Sequence, residues 1–336
     1  MQRVPFILLL SVLLLTACGN STATPTSGPE PTSTLKPTLE PTLELTQTPE
    51  PAAVLMPKPL FEITNDPDTM KDPYGIAVNS EGNIYVTDAG NSRVLVFDGA
   101  GKLISAWDAQ GSDEGQFNST GFGGLAIDAK DNVFVVDNGN RRIQKFDKDG
   151  NFLLAWGSNG TGDSQFVRAI GIALDMEGNV YVTDDGNPFV QKFDNDGNFL
   201  MKWGGKGIGD SQFSHATGIA VDANGSIFVA DYKNKRVQKF DPSGTFITAW
   251  EMGEDIKISG IPEAITVDAD GNVYVSDYSL GRLQVFDNDG NFLWALSAEK
   301  TAPSIFKRPT GVAFGTDGRM FVVNQSGNNV SVFQLP

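Results

Sequence analysis

One unit of about 47 residues recurs six times in this chain, and a fold built from repeated supersecondary units is the only kind such self-similarity permits. An apolar run sets the copies in phase. It reads Gly75-Ile76-Ala77-Val78 in the first copy, Gly124-Leu125-Ala126-Ile127 in the second and Gly171-Ile172-Ala173-Leu174 in the third. The later copies read Gly218-Ile219-Ala220-Val221, Ala264-Ile265-Thr266-Val267 and Gly311-Val312-Ala313-Phe314. Copy three displays the rest of the unit: a turn at Met176-Glu177-Gly178-Asn179, a second strand Val180–Asp184, and a third, Val190–Asp194. A second turn, Asn195-Asp196-Gly197-Asn198, leads to a fourth strand, Phe199–Trp203. Glycine in these turns supplies the positive φ that tight hairpins need.

Four short strands joined by hairpins make one antiparallel sheet, which is not stable alone in water. The first strand is apolar at consecutive positions and so needs cover on both faces. A closed ring of sheets packed face to face meets both needs. The fold class expected is all-β, a six-bladed β-propeller of four-stranded antiparallel blades. The sixth copy reaches Pro336 without a fourth strand, and Leu60–Ile63 precedes the first copy as an unassigned strand. That segment is expected to complete the last blade.

The units resemble NHL repeats, whose pattern runs roughly P-x-G-I-A-V-D, then G-N-I-Y-V-A-D, then N-x-R-V-Q-x-F. Copy four matches at Gly218–Asp222, Ile227–Asp231 and Asn234–Phe240. The resemblance spans residues 60–336. It implies a propeller, and it implies two kinds of function, since related propellers serve as interaction platforms or outer sensor domains while others of similar shape are enzymes.

Residues 1–17 have the proportions of a signal peptide: Arg3, an apolar run from Val4 to Leu15, then Thr16-Ala17. The run is too short to span a bilayer as a helix. Leu15-Thr16-Ala17-Cys18-Gly19 resembles the bacterial lipobox, which implies cleavage before Cys18 and lipid attachment to it. Residues 18–59 are rich in Pro, Thr and Glu and contain no aromatic residue, so they read as a disordered stalk. The expected protein is a lipoprotein, extracytoplasmic and lipid-anchored to a bacterial membrane, touching that membrane through the anchor only.

Charge and composition exclude several functions. Lys+Arg total 25 against 41 Asp+Glu, a net charge of −16. Nucleic-acid binding needs a cationic surface, so no nucleic-acid partner is expected, RNA included. One Cys excludes an intrachain disulfide and any multi-thiolate metal site, and one His excludes a two-histidine site.

Residues that recur from copy to copy point to structure rather than chemistry. The second strand ends in Asp88, Asp137, Asp184, Asp231 and Asp277, and Arg93, Arg142, Arg236 and Arg282 follow five residues later. These pairs are expected to clamp a loop through charge-assisted hydrogen bonds. Copy three has Phe189 in place of Arg, and copy six has Asn324 and Asn329. Turns such as Asp147-Lys148-Asp149-Gly150-Asn151 resemble the start of a calcium loop but lack its later ligands. No cofactor is therefore expected, with calcium at these turns as the one alternative. Trp107, Trp156, Trp203 and Trp250 recur at one phase and are expected to pack between blades.

Positions that differ between blades on the face carrying the inter-blade loops are the better ligand candidates: Tyr74, Phe122, Arg168, His215, Tyr232, Tyr278 and Arg308. With no catalytic constellation visible, the leading expectation is a monomeric, non-catalytic module that binds an envelope protein or a glycan. The alternative is a metal-dependent lactonase- or lyase-like enzyme with its site in the central funnel. Similarity in shape to gluconolactonase-like hydrolases, streptogramin lyases and amidating lyases implies that reading. The first would need Glu, Asn and Asp on one cation, with Glu263 near the mouth. His215 alone cannot supply a histidine-bound zinc.

Overall fold

The computed structural model of the chain describes residues 56–64, 70–118, 123–253, 260–297 and 306–336. The expected signal peptide, the expected lipid attachment at Cys18 and the expected stalk up to residue 55 lie outside these residues, as does Phe122. Six four-stranded antiparallel sheets succeed one another along the chain. Blade one consists of Pro73–Val78, Ile84–Asp88, Arg93–Phe97 and Leu103–Trp107. Blade three consists of Ala169–Leu174, Val180–Asp184, Phe189–Phe193 and Phe199–Gly204. Blades two, four and five repeat the pattern, opening at Leu125, Ala216 and Pro262.

Blade six takes its outer strand from the other end of the chain. Lys58–Ile63 pairs antiparallel with Asn329–Gln334, joining Ile63 to Val330 and Lys58 to Gln334 across the seam. The strand starts two residues before the Leu60 expected from the repeat, and its pairing ties one end of the domain to the other.

Each seam between blades is a separate apolar cluster, and the clusters run around the circle. Ile76, Val86 and Leu95 of blade one meet Phe321, Val323 and Val330 of blade six. The same arrangement recurs at the other five seams. The second strands are buried along their whole length, whereas the fourth strands alternate towards solvent, as sheets covered on both sides only near the axis should. The recurring indoles bridge blades: Trp107 lies 5.3 Å from Phe146 of blade two and 5.8 Å from Tyr85 of its own blade.

The glycine that opens most copies has a steric cause. The six inner strands converge on the axis, and a Cβ on Gly218 would sit 2.6 Å from the Glu263 carbonyl oxygen and 2.8 Å from the Ala264 Cα of blade five. Gly75 meets Gly124 as closely. Ladder pairing in these strands skips residues around the glycine, and a hydroxyl repairs the gap. The Thr87 hydroxyl accepts from Gly75 N at 2.7 Å and donates to Gly123 O of the next blade at 3.1 Å.

Candidate functional site in the mouth of the funnel

The inner strands enclose a narrow channel of about 300 Å³, walled mainly by the apolar Ile, Ala, Val and Leu of the repeats. It opens at one face into a cavity of about 320 Å³ lined by polar and aromatic side chains. Superposing the copies explains that lining. Three positions of the repeat point into the mouth: the residue before the inner-strand glycine, the residue two further upstream, and the residue after the buried Asp or Asn that ends strand two. The first position holds Tyr74, Ile170, Thr217 and Glu263; the second holds Arg168 and His215; the third holds Asp185, Tyr232, Tyr278 and Gln325.

One backbone device fixes the last two positions relative to each other. Asp185 N donates to Arg168 O, Tyr232 N to His215 O, Tyr278 N to Ile261 O and Gln325 N to Arg308 O, all at 2.9–3.1 Å. The buried carboxylates hold the same segment from beneath. Asp88 Oδ1 accepts from Lys71 N at 2.6 Å, Asp231 Oδ1 from Ser214 N at 2.9 Å, and Asp277 Oδ1 from Ile261 N at 3.1 Å. Their other oxygens accept from Arg93, Arg142, Arg236 and Arg282 Nε at 2.7–3.1 Å, with Asp137 serving Arg142. In blade three, where Phe189 replaces the arginine, Asp184 is held by the backbone N–H groups of Val167, Arg168, Gly186 and Asn187. Burial raises its pKa against those bonds. In blade six Asn324 Nδ2 donates to Asn329 Oδ1 at 2.8 Å. The D-x-D-G-N carboxylates are taken up within their own turns: Asp147 Oδ1 accepts from Asp149 N and Asn151 N, and Oδ2 from Asn151 Nδ2.

Within the mouth one contact links the two blades that flank blade six. Tyr74 of blade one donates its hydroxyl to Glu263 Oε1 of blade five at 2.5 Å. Glu263 is buried. Burial pushes its pKa up to about 7; the Tyr74 hydrogen bond opposes the rise, the charge of Asp185 adds to it, and Arg168 opposes it. Tyr74 itself is pushed well above the phenol range, mainly by burial and then by Glu263. Arg168 grips Asp185 with two nitrogens, Nη2 at 2.5 Å from Oδ2, and His215 Nδ1 lies 3.6 Å from the same oxygen. Desolvation lowers the His215 pKa, partly offset by Asp185, so the imidazole is neutral at pH 7. An aromatic row continues from it: His215 stacks near Tyr232 at 6.4 Å, and Tyr232 meets Tyr278 at 6.2 Å. Arg308 lies over Tyr278, 5.4 Å from the ring centre.

Of the ligand candidates named from sequence, Tyr74, Arg168, His215, Tyr232 and Tyr278 therefore share one cavity, and Arg308 lines a second, of about 380 Å³, beside it. Asp185 and Lys233 were not among them. Asp185 was hidden because it follows Asp184 in a run that looks structural, yet the column it occupies holds Ala89, Asn138, Tyr232, Tyr278 and Gln325 in the other copies. That variability was the available signal.

A metal-dependent site needs convergent donors. Among the described residues no three His, Cys, Asp or Glu side chains gather as a cation would require. Glu263 is engaged by a hydroxyl donor and Asp185 by a guanidinium, so neither is an open cation ligand. The described residues of the mouth do not fit a metal centre.

The NHL repeat model matches residues 71–97 and 213–240. No curated protein matches the sequence. Among solved structures the chain is similar to a streptogramin B lyase, at 14% identity and TM-score 0.59, covering 82% of this chain and 97% of that one. It is similar to the virginiamycin B lyase of Staphylococcus aureus, at 16% identity and TM-score 0.57, covering 82% and 87%. It is also similar to a gluconolactonase of Xanthomonas campestris, at 18% identity and TM-score 0.59, covering 83% and 95%. At these identities the likeness is one of fold.

The expectation of a module that binds without catalysis is corrected at this point. Fold neighbours whose names give enzymes include a streptogramin B lyase and a gluconolactonase, and the mouth does gather proton-transfer groups. The constellation escaped the sequence because its members come from separate blades, with Tyr74 and Glu263 lying 189 residues apart. Two stretches matched by the repeat model and six sheets of one design identify the chain as a six-bladed β-propeller that carries NHL repeats.

Proposed function

We propose that the protein is an enzyme of lactonase or lyase type, working by acid–base chemistry in the mouth of the funnel. The observation that carries this reading is the buried Glu263 carboxyl, held by Tyr74 at 2.5 Å and poised near neutral pH. A proton carrier is most effective when its pKa lies near the working pH, because both of its forms are then populated. A lactonase must take a proton from water and give one to the leaving oxygen; a lyase must take one from carbon and give one to the departing group. Glu263 suits the first role. Its Oε1 is engaged by Tyr74, and Oε2 makes no hydrogen bond among the described residues. Tyr74 stays protonated across the physiological range and fixes the carboxyl in place. The neutral His215, restrained beside Asp185, is the second group able to carry a proton.

The fold neighbours support the choice of reaction, since their names give a lyase of streptogramin B and a gluconolactonase. The test is turnover of a panel of sugar and alkyl lactones and of a streptogramin B, with and without a chelator. Glu263→Gln is expected to lower kcat by roughly a hundredfold or more. It should also remove an inflection near pH 7 from the profile of kcat/KM, while circular dichroism stays unchanged. Absence of turnover on the whole panel would sink the reading, and a rate abolished by chelation would overturn its metal-free form.

A further inference from the structure

The protein as a whole is strongly acidic, but its candidate site is not. Four charged side chains other than Glu263 line the mouth and the adjoining cavity: Arg168, Asp185, Lys233 and Arg308. Arg168 and Asp185 neutralise each other. His215 is neutral, and Glu263 is shifted towards its uncharged form. Lys233 and Arg308 remain, both exposed and neither in an ion pair among the described residues. The rim acid Asp72 belongs to blade one and lines neither cavity. In a chain of net charge −16, two uncompensated cations thus stand on one side of the funnel, and this is where the aromatic row runs.

Their placement is not that of loose surface cations. Arg308 sits at the entry to the inner strand of blade six with φ 54°, the same left-handed turn that Asp72 makes (φ 47°) at the entry to blade one. That turn is a property of the entry; the arginine is particular to blade six. Its guanidinium is laid on the face of Tyr278 at 5.4 Å, which restrains it at the edge of the cavity with its donor fork unused by any carboxylate among the described residues. Lys233 follows Tyr232 directly, and its charge reaches the imidazole of His215. Between the two cations lie Tyr232 and Tyr278, with ring centres 6.2 Å apart. A flat or puckered ring resting on these aromatic faces would put an attached oxyanion within the field of both cations.

We propose that the substrate class of this site is a cyclic compound bearing a carboxylate or similar oxyanion. Its ring lies along Tyr278, Tyr232 and His215, and its anionic group is held by Arg308 and Lys233. This rests on the acid–base reading of the same mouth, and it orients the bond to be broken: an anion anchored at blades four to six leaves the rest of the ligand to extend towards Glu263 and Tyr74. The proposal also gives Lys233 and Arg308 a role in affinity rather than in proton transfer.

The experiment compares matched pairs, glucuronate against glucose and benzoate against benzyl alcohol, by ligand-observed nuclear magnetic resonance on the full chain. The carboxylates are expected to bind roughly tenfold or more tightly than their neutral partners and to lose that advantage in about 0.5 M salt, because exposed charges are screened. Arg308→Gln and Lys233→Gln should each weaken carboxylate binding several-fold with unchanged melting temperatures, both side chains being exposed. Glu263→Gln should leave carboxylate binding in place while removing turnover. Equal binding within each pair, or full affinity in both charge variants, would overturn the proposal. The two readings fail separately. Turnover of neutral lactones alone sinks the anion and spares the acid–base site; salt-sensitive carboxylate binding with no Glu263-dependent turnover does the reverse.

Discussion

A single carboxyl group ties the stability of this protein to its proposed chemistry. The native Glu263 has a pKa of about 7, raised above its value in an unfolded chain. Between roughly pH 4.5 and 7 the native state therefore holds a proton that the unfolded state has released. Stability must fall as pH rises through that window, by about 1.4 kcal/mol per unit of pKa difference. Replacing Glu263 with Gln keeps an acceptor for the Tyr74 hydroxyl and removes the ionisation. The variant should melt like the parent at about pH 4 and above it at about pH 8, by the equivalent of a few kcal/mol. Thermal unfolding across that range checks this; equal melting curves at both pH values would show that Glu263 ionises in the native protein as it does in water. Residues of this kind were only half legible in the sequence. Tyr74, Arg168 and His215 stood out because they break a repeat, but nothing in the linear pattern states that Tyr74 and Glu263 touch. Their contact depends on the curvature of the ring, which brings blades one and five, the two neighbours of blade six, within reach of each other at the mouth.

Single strands were far easier to read, because every copy states the same packing problem. Alternating burial in the fourth strands and continuous burial in the second result from where each lies relative to the axis. The glycine of the inner strand is dictated by crowding at that axis. Gly218→Ala would set a methyl against the backbone of blade five, 2.6 Å from Glu263 O, in a place where no flexible side chain can give way. The expected cost is about 1–3 kcal/mol. Because the displaced backbone is that of Glu263, the proposed activity should drop as well. Denaturant titration with a parallel assay checks both; a variant of parental stability would mean that the inner strands can move apart. Less legible was how blade three manages without its arginine. Four backbone N–H groups around Asp184 replace one guanidinium, and backbone donors leave no trace in the residue pattern. That altered loop is also the one that presents Asp185 to the mouth.

The whole ring depends on its seam. Removing the chain through Ile63 would leave the third strand of blade six with an open edge and take Ile63 out of the cluster it forms with Ile76, Val330 and Val332. An exposed edge of that kind recruits other chains. The shortened protein should melt well below the parent and run as oligomers in size-exclusion chromatography, whereas a monomer of parental stability would show that the first strand is dispensable. The existence of this seam could be foreseen by counting strands, since a sixth copy with three and a leading segment with one make a whole blade. Its register could not, because Pro59 and Phe61 flank an irregularity in the pairing.

The seam also sets a timetable for synthesis. Glu62 and its partner Asn329 are 267 residues apart, so a ribosome delivers one half of the fastener near the start of the domain and the other almost at its end. Blades can collapse in order as they emerge, yet the circle stays a bent ribbon until the last strand of the domain has been made. Contacts of such long range slow folding far more than they weaken the folded state. A chain interrupted shortly before its final strand would thus hold most of its sheets and none of its closure.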